Sequence, residues 1–207
     1  MTKPNFTFKV VVLFVLCIAV STASFAQPDA RAQAEPSYEV VLQVLVGSNE
    51  AGQKAAAPAN LSAVTKKINN DFSFSNYRLS NTYVSRVANT GNIEYKSYSN
   101  GFGQIQEQDA PVFLDWSFVG LKNMPNAGKQ SAIQMQSFRF GARVPVRTGT
   151  IRDEAGKTSS VVNYENIGLT LQRISVPENA PTLIGTLPTT KIGETIFLVL
   201  TVKPVEE

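Results

Sequence analysis

Apolar and polar residues alternate over most of the sequence from residue 77 to residue 203, and this period of two most constrains the fold. Successive side chains of a β-strand point to opposite faces, so the alternation predicts strands that each bury one face. Phe113 to Leu121 is the clearest case, because Leu114, Trp116 and Phe118 share one face. With the other segments, we expect a mainly β (β-rich α+β) fold of about seven to nine mostly antiparallel strands.

Other segments extend this prediction. Tyr38 to Val46 is apolar on both faces and predicts a strand covered on both sides. Residues 77–95 alternate around the turn signal Asn89-Thr90-Gly91-Asn92, which predicts a β-hairpin. Asn123 to Gln130 contains proline and glycine and predicts a loop. Further strands are expected at Ser131 to Arg147, Ile167 to Val176 and Thr195 to Lys203.

One helix is predicted at Asn60 to Phe72, with Asn60 as its N-cap. Its apolar residues recur at helical spacing, while two lysines point away from them, so the helix should pack on a sheet. The apolar residues are Leu61, Val64, Ile68 and Phe72.

The first 26 residues have the pattern of an export signal. Lys3 and Lys9 precede an apolar run from Val10 to Val20, and Ser24-Phe25-Ala26 offers small residues for cleavage before Gln27. The run is shorter than the roughly 20 residues that span a bilayer. We expect a signal peptide at 1–26, a flexible leader at 27–37 and a single β-rich domain at 38–207.

Composition excludes several kinds of chemistry. Cys17 is the only cysteine and lies inside the signal, so the mature chain has no thiol and no disulfide. The chain has no histidine, which removes the usual general base and the commonest metal ligand. We therefore expect no cofactor and no metal. The mature chain would carry 17 basic and 16 acidic residues, a balance that gives no reason to expect a nucleic acid partner.

Three groups of residues are candidates for a functional site. Arg139, Arg143 and Arg147 recur at intervals of four and should share one strand face, either simply solvated, lining a lumen or meeting an acidic partner. Tyr98 and Trp116 could stack on a sugar or peptide, although core packing explains aromatic residues equally well. A hydrolase would have to use carboxylates, for which the candidates are Glu107, Asp109 and Asp115.

One stretch resembles a known family. Residues 140–149 (FGARVPVRTG), a polar loop of about a dozen residues and then residues 162–171 (VNYENIGLTL) resemble the C-terminal β-domain of bacterial secretins. That family has a Gly-x-x-Val-Pro strand, a variable loop and a Tyr-x-x-Val-Gly-x-x-Leu strand in the same order. Thr195 to Pro204 is similar to its last strand, and Tyr38 to Val46 with the following helix is similar to its opening. The resemblance implies an exported protein of secretion or type IV pilus systems.

Within this stretch Pro145 cannot donate a hydrogen bond to a ladder, so its strand should be an edge or should bend there. An unpaired edge invites strand addition or self-association. Our leading hypothesis is thus an exported, non-enzymatic β-domain that binds an envelope protein or self-associates, as an accessory to secretion or pilus formation. It would act in the periplasm or at the outer membrane of a Gram-negative-type bacterium, or as a secreted protein. It would associate with the membrane only as an oligomer. The alternatives are a minimal secretin-like outer-membrane pore subunit, a surface carbohydrate- or peptide-binding module, and the hydrolase.

Overall fold

Nine strands and one helix build the described part of the chain. The structure is a computed structural model and describes residues 36–50, 57–99, 101–103, 110–125 and 131–205. The predicted signal peptide, most of the predicted leader, and the candidate acids Glu107 and Asp109 lie outside these residues.

The secondary-structure elements confirm the mainly β fold class with one helix. A single 3-10 turn, Ala59–Leu61, leads directly into that helix. The elements are β1 Ser37–Ser48, α1 Ser62–Asp71, β2 Asn76–Ala88, β3 Ile93–Ser99, β4 Val112–Val119, β5 Lys122–Pro125, β6 Ser131–Arg152, β7 Thr158–Pro177, β8 Thr182–Pro188 and β9 Glu194–Val205.

The strands form two sheets in which every pairing is antiparallel. Sheet A has the order β2-β1-β9-β8, and sheet B has the order β3-β4-β6-β5, with β7 along the other side of β6. Strand β6 is thus flanked by β7 on one side, and by β4 and then β5 on the other. This central position makes β6 the scaffold of sheet B.

The inner faces of the two sheets enclose the main core. Alternate residues of β1 and β9 from sheet A meet alternate residues of β4 and β6 from sheet B, as period-two patterning requires. Burial of these side chains is the dominant favourable contribution to folding. The largest of them are Trp116, Tyr38, Phe102, Phe118, Phe138 and Phe140.

Helix α1 covers part of the opposite face of sheet A. Leu61, Val64 and Ile68 pack with Phe197 and Val199 of β9 in a second core. The predicted helix is therefore confirmed, but the prediction that Asn60 is its N-cap is wrong. Asn60 lies inside the 3-10 turn, and no side chain caps either helical segment at its N-terminus.

The predicted hairpin of residues 77–95 is wrong. Strand β2 pairs with β1 in sheet A, whereas β3 pairs with β4 in sheet B. The turn itself forms, with Gly91 N donating to Ala88 O, but Thr90 N donates to Leu121 O at 2.7 Å and carries the chain across to the other sheet. Local turn chemistry specified the reversal, while burial of Tyr83 and Val87 between the sheets decided the pairing.

Two predicted loops differ from the structure, one over most of its length and the other at its start. The polar segment after residue 149 is mostly ladder, since β6 runs to Arg152, β7 starts at Thr158, and the turn is confined to residues 153–157. Gly149 adjoins a register shift in this ladder. The segment predicted as a loop at Asn123 to Gln130 begins inside the short strand β5, and its residues 126–130 lie outside the described residues. The expected edge at Pro145 is confirmed, because the β4 ladder ends at Arg143 and β6 then pairs with β7 alone.

Side-chain hydrogen bonds join the edges of the two sheets where β2 approaches β3. The Tyr83 hydroxyl and Ser97 Oγ are 2.7 Å apart, and Ser80 Oγ lies 3.4 Å from Ser99 Oγ. The Tyr83 ring also contacts Tyr95 and Trp116. Burial raises the pKa of Tyr83, an effect that the hydrogen bond from Ser97 partly offsets.

Removal of the Ile68 side chain should loosen α1 from sheet A. Ile68 is fully buried, so we expect Ile68→Ala to lower the free energy of unfolding by about 2 to 5 kcal/mol through lost burial and a residual cavity. Urea denaturation followed by circular dichroism measures this. Lys66→Ala on the exposed side of the same helix is the control and should change stability by less than about 0.5 kcal/mol. Equal effects of the two substitutions would contradict the packing of α1.

Tyr83→Phe should reduce the loss of stability at alkaline pH. Because the folded state raises the pKa of Tyr83 above 10.0, its contribution is complete below that pH and declines as pH rises through the folded value. At pH 7 the free energy of unfolding of the variant should be about 1 kcal/mol lower, because the hydrogen bond to Ser97 is absent. Above about pH 10 its free energy of unfolding should fall less steeply than that of the wild type. Urea unfolding at pH 7 to 11 tests this, and parallel curves for the two proteins would refute it. Tyr77, whose pKa is also raised by burial, is retained in both proteins.

Candidate functional site on the outer face of sheet B

The outer face of sheet B, turned away from sheet A, carries the predicted arginine row. Arg139, Arg143 and Arg147 are exposed, whereas the alternate residues Phe138, Phe140, Ala142 and Val144 are buried in the main core. Ser117 of β4 and Thr170 of β7 flank Arg139 in register, and Phe113 and Asn166 flank Arg143. The structure thus brings at least the first two arginines into one polar surface with neighbours from β4 and β7.

A shallow depression of about 520 Å³ lies between Arg139 and Arg143. Its floor is formed where Gly141 of β6 pairs with Gly168 of β7, and Asp115 of β4 lies beside Gly141. Asn166 and Thr170 contribute to its rim. The pleat of three adjacent strands therefore concentrates two cations, one carboxylate and several hydrogen-bonding groups around a glycine floor.

Close packing explains why both floor residues are glycine. A Cβ at Gly168 would lie 2.6 Å from Phe140 O, and a Cβ at Gly141 would lie 2.7 Å from Asp115 Oδ1. Glycine in a strand interior often marks such a close approach. The result is a floor of bare backbone.

The charges of this depression are not neutralised internally. Within the described residues, Arg139, Arg143 and Asp115 form no ion pair with one another or with any other residue. The Arg143 guanidinium instead lies over the Phe113 ring, with Cζ 4.9 Å from its centroid. Two guanidinium groups and one carboxylate leave the surface with a net positive charge, which favours an acidic or hydrogen-bonding partner.

Aromatic side chains continue the same face beyond Arg143. Tyr98 is 73% exposed, Phe113 38% and Tyr164 41%. Tyr98 pairs in register with Phe113, and the Phe113 and Tyr164 ring centroids are 5.5 Å apart. These three residues, which we call the aromatic strip, form an exposed apolar surface next to a cation.

The structure separates the two predicted stacking residues. Trp116 is only 1% exposed and faces the main core, where its ring contacts those of Tyr83 and Tyr95. It cannot share a platform with Tyr98, so the stacking prediction is corrected at Trp116. Phe113 was missed, although it stands next to Leu114 and alternation alone assigns it to the opposite face. No sequence signal identified Tyr164, because its place depends on the register of β6 and β7.

Of the three carboxylates on which the hydrolase alternative depends, the structure describes one at this depression. Asp115 lies at the depression, while Glu107 and Asp109 fall outside the described residues. Within the described ranges, no group of three or more Asp, Glu, His or Cys side chains is placed to hold a metal ion. No helix in the same ranges is long and apolar enough to cross a membrane.

Comparison with known proteins shows similarity to secretins at low identity. No protein-family model and no curated protein match the chain. The secretin domain of InvG from the Salmonella SPI-1 injectisome is 12% identical, with a TM-score of 0.31, covering 95% of this chain and 68% of that one. The open-gate InvG secretin from the Salmonella type III injectisome is 13% identical, with a TM-score of 0.31 and coverages of 98% and 67%.

A third solved structure comes from another secretion system. The outer membrane complex of the Klebsiella pneumoniae type II secretion system, with PulD, PulS and the PulC HR domain, contains a chain that is 9% identical, with a TM-score of 0.35. The match covers 95% of this chain and 43% of that one, so this chain spans less than half of its length. The weak, partial resemblance to secretins stated from residues 140–171 is confirmed.

Any side chain at Gly168 should disturb the floor of the depression. We expect Gly168→Ala to destabilise the protein by about 1 to 3 kcal/mol, because its Cβ would press on the backbone oxygen of Phe140. Gly149→Ala is a matched control on the same ladder, since a Cβ there meets nothing within 4 Å. Chemical denaturation of both variants measures the difference. If Gly149→Ala were as destabilising as Gly168→Ala, the close approach at the floor would be refuted.

Proposed function

We propose that this chain is an exported, non-enzymatic β-domain that acts in the bacterial envelope by assembly or partner binding, as an accessory to a secretion or pilus system. The observation that carries the proposal is the distal part of the β6–β7 hairpin, residues 144–152 and 158–165, which we call the ribbon. The ribbon extends beyond the last residue of β6 that pairs with β4.

Both long edges of the ribbon lack a ladder partner within the described residues. The β4 ladder ends at Arg143, and β7 pairs with β6 alone along its whole length. Unpaired N–H and C=O groups along a strand are a template for another strand. An isolated two-stranded hairpin is only marginally stable in water. Addition of a further strand would satisfy these groups and stabilise the ribbon.

The side chains of the ribbon support the same proposal. Residues 147–160, including the turn that joins the two strands, are all exposed, and Ile151 is 63% exposed. Tyr164 adds a second large exposed side chain nearer the body of the sheet. Exposed apolar residues on an unpaired edge favour burial against another chain. A second copy of the same chain offers the same edge and is the simplest partner.

The export signal predicted at residues 1–26 supports a site of action outside the cytoplasm. The predicted mature chain has no cysteine, which suits a bacterial periplasm or surface better than a disulfide-dependent secreted domain. The resemblance of residues 140–171 to secretins is the reason for naming a secretion or pilus system.

Ile151→Lys should weaken self-association through the ribbon. We expect an apparent dissociation constant raised about tenfold or more, because a lysine in a strand-to-strand contact must be desolvated without a partner. Size-exclusion chromatography with light scattering on the exported protein, from soluble and detergent-extracted envelope fractions, measures the change. Val84→Lys is the matched control, since Val84 is 58% exposed on an edge strand of sheet A.

The possible masses separate the competing functions. A soluble oligomer that Ile151→Lys dissociates and Val84→Lys leaves intact supports assembly through the ribbon. A ring-sized multimer found only in detergent supports the minimal pore subunit instead. The proposal is rejected if two results are obtained together. The protein is a monomer in both fractions, and an affinity column carrying the wild-type chain retains no protein that a column carrying the Ile151→Lys chain fails to retain.

A second candidate function rests on the aromatic strip. Tyr98, Phe113 and Tyr164 beside Arg143 form the kind of surface that stacks on a sugar ring or an aromatic peptide side chain. Binding of the wild-type chain to glycan and peptide arrays should be lost in Phe113→Ala and retained in Val84→Ala. Identical array profiles for all three proteins would remove this candidate.

A further inference from the structure

A second depression, of about 630 Å³, lies at the end of sheet B remote from the ribbon. Its volume is within the range of pockets that hold small molecules. It is lined by residues of β5, β6 and β7, by the last residue of β4, and by the turns that follow β2 and β4. None of these residues belongs to the arginine row, the aromatic strip or the ribbon.

The depression forms where the pairing of β6 is interrupted on both sides. The ladder to β7 passes from Met135 with Ile174 to Ser137 with Gln172, so that Gln136 and Arg173 are not paired. On the other side, β6 changes partner from β4 to β5 across Gly120 and Leu121. The buried positions of β6 shift accordingly, from odd-numbered residues before Gln136 to the even-numbered residues from 138 to 144 after it.

Two turns are joined at the rim of this interruption. Thr90 N donates to Leu121 O at 2.7 Å, and Gly120 N donates to Asn92 Oδ1 at 3.1 Å. The Gln136 side chain lies over Gly120, where a Cβ would approach it to 2.7 Å. The rim is therefore held by hydrogen bonds and close packing before any ligand arrives.

Backbone strain is concentrated at the same place. The described residues include three non-glycine residues with positive φ, and two of them, Thr90 at 62° and Arg173 at 52°, line this depression. Glycine would adopt this conformation without steric cost. Side chains kept at strained positions cluster at functional sites, where the side chain itself is needed.

The chemistry of the lining matches a particular kind of ligand. Lys122 and Arg173 contribute two cations, the lining contains no Asp or Glu, and within the described residues neither cation forms an ion pair. Two unneutralised cations in one concavity favour an oxyanion, with which they make charge-assisted hydrogen bonds. Thr90, Gln134 and the side-chain amide of Gln136 are suited to ligand hydroxyl groups.

We propose that this depression binds a small hydroxylated oxyanion, namely a sugar phosphate or a sugar acid. Lys122 and Arg173 hold the phosphate or carboxylate, the hydroxyl and amide side chains hold the sugar hydroxyls, and exposed Val119 provides an apolar wall for the C–H face of the ring. The proposal does not depend on assembly through the ribbon, because the two sites lie at opposite ends of β6.

Calorimetric titration of the exported protein tests the proposal. The probes are glucose 1-phosphate and galacturonate, with glucose and inorganic phosphate as controls, at low and at moderate salt. We expect at least one of the two probes to bind more tightly than both controls, with affinity that falls as salt rises. The probe that binds distinguishes the phosphate source of the oxyanion from the carboxylate source.

Substitutions locate the binding and separate it from folding. Arg173→Gly removes a cation and relieves the strained φ, so it should weaken binding about tenfold or more while leaving Tm unchanged or higher. Lys122→Gln should also weaken binding about tenfold. Asn179→Gly is the matched control, because Asn179 has φ of 61° in the turn between β7 and β8, outside this depression. It should bind as the wild type does.

Several results would overturn the proposal. It fails if neither probe binds, if glucose or inorganic phosphate binds as tightly as the better probe, or if Arg173→Gly and Lys122→Gln both bind like the wild type. The oligomeric mass of the same Arg173→Gly protein reports on the ribbon, whereas its ligand affinity reports on this depression. A failure of the ligand-binding proposal can therefore be distinguished from a failure of the assembly proposal.

Discussion

The alternation of side chains between the two faces of β6 governs how the core and the exposed surfaces of this protein are arranged. One face of this strand supplies Phe138, Phe140, Ala142 and Val144 to the core between the sheets, so its orientation is determined by burial. A slip of one residue would expose these side chains and bury Arg139 and Arg143. The outer face and its depression therefore exist because the inner face must be apolar.

The length of β6 gives sheet B three regions with different properties. In the middle, β6 lies between β4 and β7, and the outer face carries cations, glycines and the aromatic strip. Towards residue 152 only β7 accompanies it, and the pair becomes a ribbon with two unpaired edges. Towards residue 131 the partner changes to β5, and the interrupted ladder opens the second depression. A single strand thus positions every surface to which we assign a role.

The predictions from sequence succeeded where one segment carried its own pattern. The helix at Asn60 to Phe72 and the buried face of Leu114, Trp116 and Phe118 follow from periodicity, because each depends only on which side of an element is apolar. The prediction of a hairpin at residues 77–95 was wrong because a turn signal does not specify which strands pair. The prediction of a loop after residue 149 was wrong because a strand pair exposed on both faces is as polar as a loop, and residues 147–152 and 158–160 form such a pair.

The mainly β class, the packed helix and the division of residues 138–147 into a buried and an exposed face could all be predicted from the sequence. These properties are local, since they depend on the spacing of apolar residues along a single element. Contacts between distant segments were needed to establish that β2 and β3 lie in different sheets. The same is true of the grouping of Tyr98 with Phe113 and Tyr164, without Trp116, and of the meeting of Lys122 and Arg173. Those juxtapositions join residues up to about 66 positions apart in the chain, and long-range register, set by burial between two sheets, is what brings them together.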